Sequence, residues 1–187
     1  MPTEKIERSR VVERLTDVFR RRGYEGATLQ HLAEAAGLQK ASLYHRFPGG
    51  KRDMAEAVLV AADAWFASHV FEPLAESDNH SPRERLVAMT RALTRFYDKG
   101  DSPCLLDSIS LGEGSDLFAE HTRRSVRAWI VAVARVAEEA GIEPSEATRR
   151  AEDAVMRVEG ALVLTRATGN RRGFRRVMAE LPDDVLA

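Results

Sequence analysis

Residues 28–47 have the sequence TLQHLAEAAGLQKASLYHRF, and this stretch decides the fold. It holds two short segments in which apolar residues recur one helical turn apart. Leu32 and Ala36 form such a pair in the first segment, and Leu43 and Phe47 form one in the second. A glycine between the segments supplies backbone freedom that residues with a side chain rarely have. The pattern predicts two short helices that pack through matching apolar edges, as in a helix-turn-helix.

The second of these helices carries hydrogen-bonding side chains opposite its apolar edge. The outward positions are Gln39, Lys40, Ser42, Tyr44, His45 and Arg46. A short helix with an apolar back and a donor-rich front suits the major groove of DNA. An ordinary helical hairpin with a solvated face has the same pattern, so spacing alone leaves both interpretations open.

The rest of the chain also has the pattern of helices, with glycine, proline and polar loops between them and no sustained alternation typical of strands. Thr28 is a suitable N-cap for the first short helix, and Gly37 breaks it. Glycine and proline recur through residues 99–115, which predicts an irregular stretch with one short apolar piece. The predicted helices span residues 4–22, 29–35, 39–45, 51–71, 83–97, 116–140, 144–168 and 171–180. The predicted fold class is therefore all-α.

Composition excludes several classes of protein. The 187 residues are 44% apolar and 30% charged, which is typical of a soluble globular protein. No uninterrupted apolar run approaches the ~20 residues that a membrane span needs. The charged N-terminus leads into no apolar signal core, so we expect no export. Cys104 is the one cysteine, which excludes an intrachain disulfide framework and fits a cytoplasmic location.

Charge is distributed unevenly along the chain. Residues 1–52 contain eleven Lys/Arg against six Asp/Glu, whereas residues 53–187 contain seventeen against twenty-three. A basic segment on an acidic body is a hint of a nucleic-acid-binding module. A surplus of five positive charges is also common on solvated helices.

Residues 28–47 closely resemble the signature of TetR-type (tetracycline-repressor-like) regulators: an initial Thr, Ala then Ala-Gly in the turn, Leu-Tyr and a closing Phe. The upstream segment FRRRGYEG, residues 19–26, resembles the bridge that leads into this signature, and the match covers about residues 11–58. The resemblance implies an N-terminal three-helix DNA-binding module, residues 4–64, with the helix-turn-helix at about 27–46. It also implies a helical ligand-binding and dimerisation bundle, residues 65–187.

The resemblance further implies roles for single residues. Gln39, Lys40 and Ser42 stand where family members contact base edges, and Lys40 could donate to guanine O6 and N7. The positions at which phosphates are held are those of Thr28, Tyr44, His45, Arg46 and Lys51. This chain departs from the family pattern at two points. Arg46 stands where the family usually has His, and the pair Gly49-Gly50 has one residue more before Lys51 than the commoner form. The turn FPGGK, residues 47–51, resembles a subgroup whose members sense drugs or flavonoids.

For the body, the resemblance implies a homodimer paired through the last two long helices, and an effector cavity among the middle helices. The small residues that would permit close pairing are Ala147, Ala151, Ala154, Gly160 and Ala161. Candidate cavity-lining residues are Trp65, Phe66, His69, Met89, Phe96, Tyr97, Cys104, Phe118, His121, Thr122 and Trp129. Aromatic residues at helical spacing are also typical of plain core, and the pairing face could equally pack within one chain.

An enzyme and a regulator that binds a partner protein are the two alternative functions. The five histidines are scattered and form no metal-ligand or nucleophile motif, so we expect neither an enzyme nor a cofactor or metal. The cluster Arg171, Arg172, Arg175 and Arg176 could instead bind a partner protein. The sequence favours a ligand-responsive, dimeric repressor that binds a palindromic operator and is released by a small apolar or aromatic inducer, with no membrane partner.

Overall fold

The computed structural model describes residues 7–187, and the helices there form two compact units. Residues 7–63 belong to the first unit together with Leu105–Ala119. Ala64–Cys104 and Glu120–Ala187 form the second. No β-strand occurs in residues 7–187, in agreement with the predicted all-α class.

The first unit begins with three helices: α1 is Arg8–Gly26, α2 is Leu29–Ala36 and α3 is Lys40–Arg46. The predicted start of the first helix at Glu4 lies outside the described residues. Its predicted end at residue 22 matches the regular part of α1, because Gly23 then adopts φ +66° and one further turn follows. Helix α4, Lys51–Phe66, starts in this unit.

The segment Leu105–Ala119 also packs in the first unit. It contains two short helices, α7 at Leu105–Ile109 and α8 at Glu113–Leu117, where the sequence predicted an irregular stretch with one apolar piece. The long helix expected to start at residue 116 begins instead at Ala119, because Asp116 belongs to α8. The buried core of this unit includes Val11, Leu15, Phe19, Leu32, Leu43, Phe47, Met54, Leu105, Ile109 and Phe118.

The second unit contains the remaining long helices. They are α6 at Pro82–Phe96, α9 at Ala119–Glu139 apart from its first residue, α10 at Pro144–Thr168 and α11 at Arg172–Leu186. Helix α6 begins with a capping box, in which the Ser81 side chain and Glu84 satisfy each other's backbone N–H groups. Helix α11 packs against both α10 and α6.

Two predicted helix ends at prolines were wrong. Helix α4 continues through a π-helical turn, Ala67–Phe71, into α5, Glu72–Ala75. The wider π turn accommodates Pro73, whose ring would otherwise clash with the carbonyl four residues earlier. Helix α11 continues through Pro182 to Leu186.

By length and composition, one stretch of the described residues could cross a membrane. It spans Lys51–Ala75, with a mean hydropathy of 1.3. Glu56 and Asp63 interrupt it, which is why it does not appear in the sequence as an apolar run. A single stretch of this kind is weak evidence, because core helices of soluble proteins have the same composition.

Candidate nucleic-acid interface

The turn between α2 and α3 is held by capping hydrogen bonds at both ends of α2. The hydroxyl of Thr28 accepts from the N–H of His31 at 3.2 Å, which confirms Thr28 as the N-cap. Gly37 adopts φ +67°, and its N–H and that of Leu38 donate to the carbonyls of Glu34 and Ala33. This left-handed C-cap stops α2 and turns the chain toward α3.

Helix α3 presents one apolar and one polar face, as the spacing predicts. Leu43 and the following Phe47 are each only 1% exposed. The three residues expected to contact base edges, Gln39, Lys40 and Ser42, are all exposed. They therefore share a solvent-facing surface at the N-terminal end of a helix whose other side is fixed in the core.

The residues expected to hold phosphates lie around the same helix. Thr28 and His45 are exposed, the ring of Tyr44 is 45% exposed, and Arg46 is half-buried. Gly50 has φ +70°, and a Cβ on it would lie 3.4 Å from the Tyr44 ring, so the turn after α3 runs close beside this tyrosine.

Two arginines that sequence reasoning missed support the site from α1. Arg14 donates to the carbonyl of Ala36 at 3.0 Å, next to the α2–α3 turn. Arg8 donates to the carbonyl of Arg46 at 3.3 Å and lies 4.8 Å above the Phe47 ring. The excess of Lys/Arg in residues 1–52 was the available signal, but it did not identify these two positions.

Lys51 is the first residue of α4 and is half-buried. Its ammonium group lies 4.3 Å from the centre of the Tyr24 ring. In the preceding turn, the N–H of Gly49 donates to the carboxylate of Asp53 at 2.5 Å. One backbone donor at the start of α4 thus already has an anionic partner, and neither Tyr24 nor Asp53 was singled out in the sequence.

The structure brings together six of the eleven candidate effector-site residues in the second unit. The six side chains form a connected group of ring contacts: Trp65, Phe66, His69, Phe96, Tyr97 and Trp129. The closest are Trp65–Phe96 at 4.4 Å and Trp65–His69 at 4.5 Å between ring centroids. The indole N–H of Trp129 is buried and has no hydrogen-bond acceptor within residues 7–187.

The other five candidates have different positions. Met89 and Cys104 are buried in the second unit, and His121 and Thr122 are half-buried near the start of α9. Phe118 lies in the core of the first unit, with its ring on edge to Tyr24 at 5.3 Å. The sequence predicted Phe118 in the long helix of the body that starts at residue 116, whereas in the structure it follows α8 and belongs to the first unit.

Of the five small residues expected on the pairing face, Gly160 is exposed, but the four alanines are not. Ala147, Ala151, Ala154 and Ala161 are each at most 5% exposed, because they pack inside this chain. The exposed stripe of α10 is formed by Met156, Gly160, Val163 and Leu164. No cluster of three or more His, Cys, Asp or Glu that could hold a metal occurs in the described part of the chain.

The arginine cluster of α11 is partly paired. Arg171 forms a two-point ion pair with Asp101, whereas Arg172, Arg175 and Arg176 are exposed.

Two protein-family models match the chain. Residues 12–58 match the bacterial regulatory proteins of the tetR family. Residues 82–180, more than half of the chain, match the C-terminal domain of LmrA/YxaF-like transcriptional regulators.

Relatives and solved structures match along nearly the whole length. The uncharacterized HTH-type transcriptional regulator YxaF of Bacillus subtilis (strain 168) is 22% identical over 180 residues, covering 94% of this chain and 93% of YxaF. A TetR transcriptional regulator from Legionella pneumophila superimposes with a TM-score of 0.82 at 20% identity, covering 98% of each chain.

A DNA-bound structure is also among the similar folds. A cysteine mutant of the TetR-family regulator CifR, complexed with 26-bp double-strand operator DNA, superimposes with a TM-score of 0.75 at 21% identity. The superposition covers 99% of this chain and 98% of CifR. The matched families and relatives are transcriptional regulators and not enzymes.

Proposed function

Because the chain belongs to the TetR family of bacterial regulatory proteins, with an LmrA/YxaF-like C-terminal domain, we propose that it is a ligand-responsive repressor. It binds a palindromic operator as a homodimer in the cytoplasm, and a small apolar or aromatic inducer releases it. Residues 4–64 supply DNA binding, and residues 65–187 supply effector binding and dimerisation.

The observation that carries this proposal is the geometry of α3. Its exposed face bears Gln39, Lys40 and Ser42, while Leu43 and Phe47 anchor the other face in the core. A rigidly anchored helix with exposed donors can enter the major groove without losing much conformational freedom. Thr28, Tyr44, His45, Arg46 and Lys51 then hold phosphates on either side, which fixes the register of the helix on the duplex.

Dimerisation is supported by the exposed stripe on α10. Met156 and Leu164 are 61% and 62% exposed, Val163 is 45% exposed, and Gly160 lies between them on the same face. These positions repeat at helical spacing, so they form one apolar strip that a second copy can cover. A symmetric pair presents two α3 helices to successive major grooves.

The aromatic group of the second unit supports an aromatic effector. The Phe66 ring contacts both Trp65 and Trp129, so these rings offer flat apolar surfaces. The buried Trp129 N–H has no acceptor among the described residues, and a bound molecule could supply one. The drug- or flavonoid-type effector suggested by the FPGGK turn fits these properties. In some dimers the two α3 helices are not spaced like successive major grooves, and an effector that binds these dimers more tightly lowers DNA affinity. By linkage, bound DNA lowers the affinity for the effector by the same factor.

The division of roles on α3 is tested with two variants on a set of operators that differ by single base pairs. Lys40→Ala should cost about 1–3 kcal/mol on the preferred base at one position and relax selectivity there. Tyr44→Phe should weaken all operators by a similar factor, because a phosphate contact is independent of sequence. Binding is measured by fluorescence anisotropy.

A matched control for the loss of one positive charge is Arg135→Ala, an exposed cation of α9. It should leave the affinities for all operators within about twofold, since Arg135 belongs to the second unit and is not among the residues assigned to DNA contacts. If Lys40→Ala and Tyr44→Phe had the same profile across the operator set, the assigned roles would be wrong.

A further inference from the structure

Tyr24 is a buried aromatic residue that connects three parts of the first unit. It follows Gly23 in the last turn of α1 and is 7% exposed. Phe19 stacks near it with ring centroids 6.4 Å apart, and Phe118 contacts it on edge at 5.3 Å. A Cβ on Gly114 would lie 3.3 Å from the Tyr24 Cβ, so α8 also passes close to it.

The ammonium group of Lys51 lies over the face of the Tyr24 ring, 4.3 Å from the ring centre. A cation at this distance from a tyrosine ring is attracted by the negative electrostatic potential of the ring face. The contact restricts a long side chain that otherwise has many rotamers. An ammonium group has three donors, so one side can face the ring while the other side remains available to an anion.

The phenol end of Tyr24 lies among charged groups of α4 and α8. Burial raises the pKa of the Tyr24 hydroxyl, Glu113 and Glu56 raise it further, and Arg52 lowers it. Arg52 and Glu56 pair with each other at 2.9 Å. The hydroxyl therefore stays protonated at neutral pH, and the neutral ring is the part of Tyr24 that acts on Lys51.

We propose that Tyr24 is a positioning residue for DNA binding. Its ring holds the Lys51 ammonium at the start of α4 in the place where it meets a DNA phosphate, and Phe118 keeps the ring in that place. The inference rests on the proposed function, because it takes Lys51 to be a phosphate contact. Preorganisation lowers the ordering cost of Lys51 on binding, so removing the ring weakens DNA binding without removing any group that touches DNA.

The test is a double-mutant cycle of Tyr24→Leu and Lys51→Ala, with Tyr24→Phe as the conservative variant. Affinity and its salt dependence are measured by anisotropy on the duplex immediately upstream of the protein's own gene. An unrelated duplex at low salt is measured as well, because phosphate contacts need no particular sequence. Thermal unfolding monitored by circular dichroism shows whether each variant is folded.

We expect Tyr24→Leu to weaken binding about two- to tenfold per protomer, the cost of ordering one long side chain on binding, and Tyr24→Phe to bind as the wild type does. Lys51→Ala should lower the salt slope by about 0.9 per protomer. In the Lys51→Ala background, Tyr24→Leu should have no further effect, because the group that the ring positions is gone.

Two results would overturn the inference while leaving the proposed function standing. One is tighter DNA binding by Tyr24→Leu, since the ring would then be keeping Lys51 away from the phosphate. The other is an equal loss with and without Lys51, which would make Tyr24 merely structural. If the folded wild type binds neither duplex, both the proposed function and the inference fail.

A second measurement does not depend on the folding of any core variant. In the NMR spectrum of the wild type, the Tyr24 ring current should shift the Lys51 Hε protons upfield, in free protein and on DNA alike. Lys51 Hε protons at ordinary shifts in the free protein would refute the proposed contact.

Discussion

The end of the regular part of α1 is set by a single glycine. Gly23 has φ +66°, and a Cβ there would lie 2.8 Å from the carbonyl oxygen of Ser108. Both the backbone conformation and the close approach of α7 make any larger residue unfavourable here. A helix end at this glycine was predictable from sequence, whereas its distant partner was not, because nothing local marks residue 108 as its neighbour.

We predict that Gly23→Ala lowers the free energy of unfolding by about 1–3 kcal/mol, the cost of strained backbone at a non-glycine residue. The additional contact with Ser108 can only increase this loss. Urea unfolding followed by circular dichroism measures the change.

Gly173→Ala is the matched control. Gly173 lies in α11 without positive φ. Apart from its own helix backbone and chain neighbours, no atom of residues 7–187 lies within 4 Å of the added Cβ, so alanine should be neutral or stabilising by up to about 1 kcal/mol. If Gly23→Ala were as stable as the wild type, α1 and α7 would be able to move apart without a cost in free energy.

At single residues, the sequence predicted the features that depend only on nearby positions in the chain. The Thr28 cap and the Gly37 turn depend on neighbours within five positions, and both were predicted. The position of Lys51 above Tyr24 depends on how α4 packs against the end of α1, 27 residues earlier. No periodicity encodes that contact, so the structure was needed to find it.

At the scale of helices, apolar periodicity predicted most elements. The helix ends predicted at Pro73 and Pro182 were wrong, because both helices continue past the proline. Pro182 removes one hydrogen bond from α11 and costs about 3 kcal/mol. Leu181 and Val185 on either side are each 1% exposed, and burial of each contributes about 1.5–3 kcal/mol. Packing therefore outweighs the local preference, and only the tertiary structure shows which force is larger.

Helix α6 carries two arginines whose contributions to stability should differ. Arg85 is 3% exposed and donates to the carbonyl of Leu74 at 2.7 Å and to the Glu139 carboxylate at 2.5 Å. Arg85→Met leaves the buried carbonyl without this donor and should lower the free energy of unfolding by about 2 kcal/mol.

Arg83 is the control two positions earlier. It pairs with Asp183, but both side chains are about three-fifths exposed, so Arg83→Met should lower the free energy of unfolding much less than Arg85→Met does. Equal costs in urea unfolding would mean that burial of the Arg85 contacts contributes nothing.

Helix α10 starts with a pH-sensitive pair of contacts. Hydrogen bonds from Arg149 and Arg150 lower the pKa of Glu146 to about 2 from its ordinary 4.5. A lowered pKa in the folded state stabilises the fold above about pH 4.5, and this contribution disappears as the pH falls toward 2. Urea unfolding of the wild type should therefore show stability falling through that window.

Glu146→Gln should flatten part of this pH dependence, because the variant has no carboxylate to protonate. Glu152→Gln removes an exposed carboxylate of the same helix and leaves the arginine contacts in place, so it should retain the wild-type profile. An unchanged profile in Glu146→Gln would disprove the assignment of this window to Glu146.

At the scale of the whole molecule, helical periodicity predicted the fold class, and the resemblance predicted the family and the regulator class. Neither defined the surfaces as well. The alanines of α10 share a helical face, as predicted, but that face is inside the chain. The exposed stripe of Met156, Gly160, Val163 and Leu164 lies on another face. Sequence periodicity identifies an apolar face without saying whether the same chain or a second copy covers it.

The most direct test of the account is fluorescence anisotropy of the purified protein on the DNA immediately upstream of its own gene, titrated across salt. We predict two protomers per site, an affinity ~10³-fold or more above that for scrambled DNA, and a steep fall with salt of about 0.9 in log K per phosphate contact. A folded protein that binds neither duplex even at low salt would contradict the account.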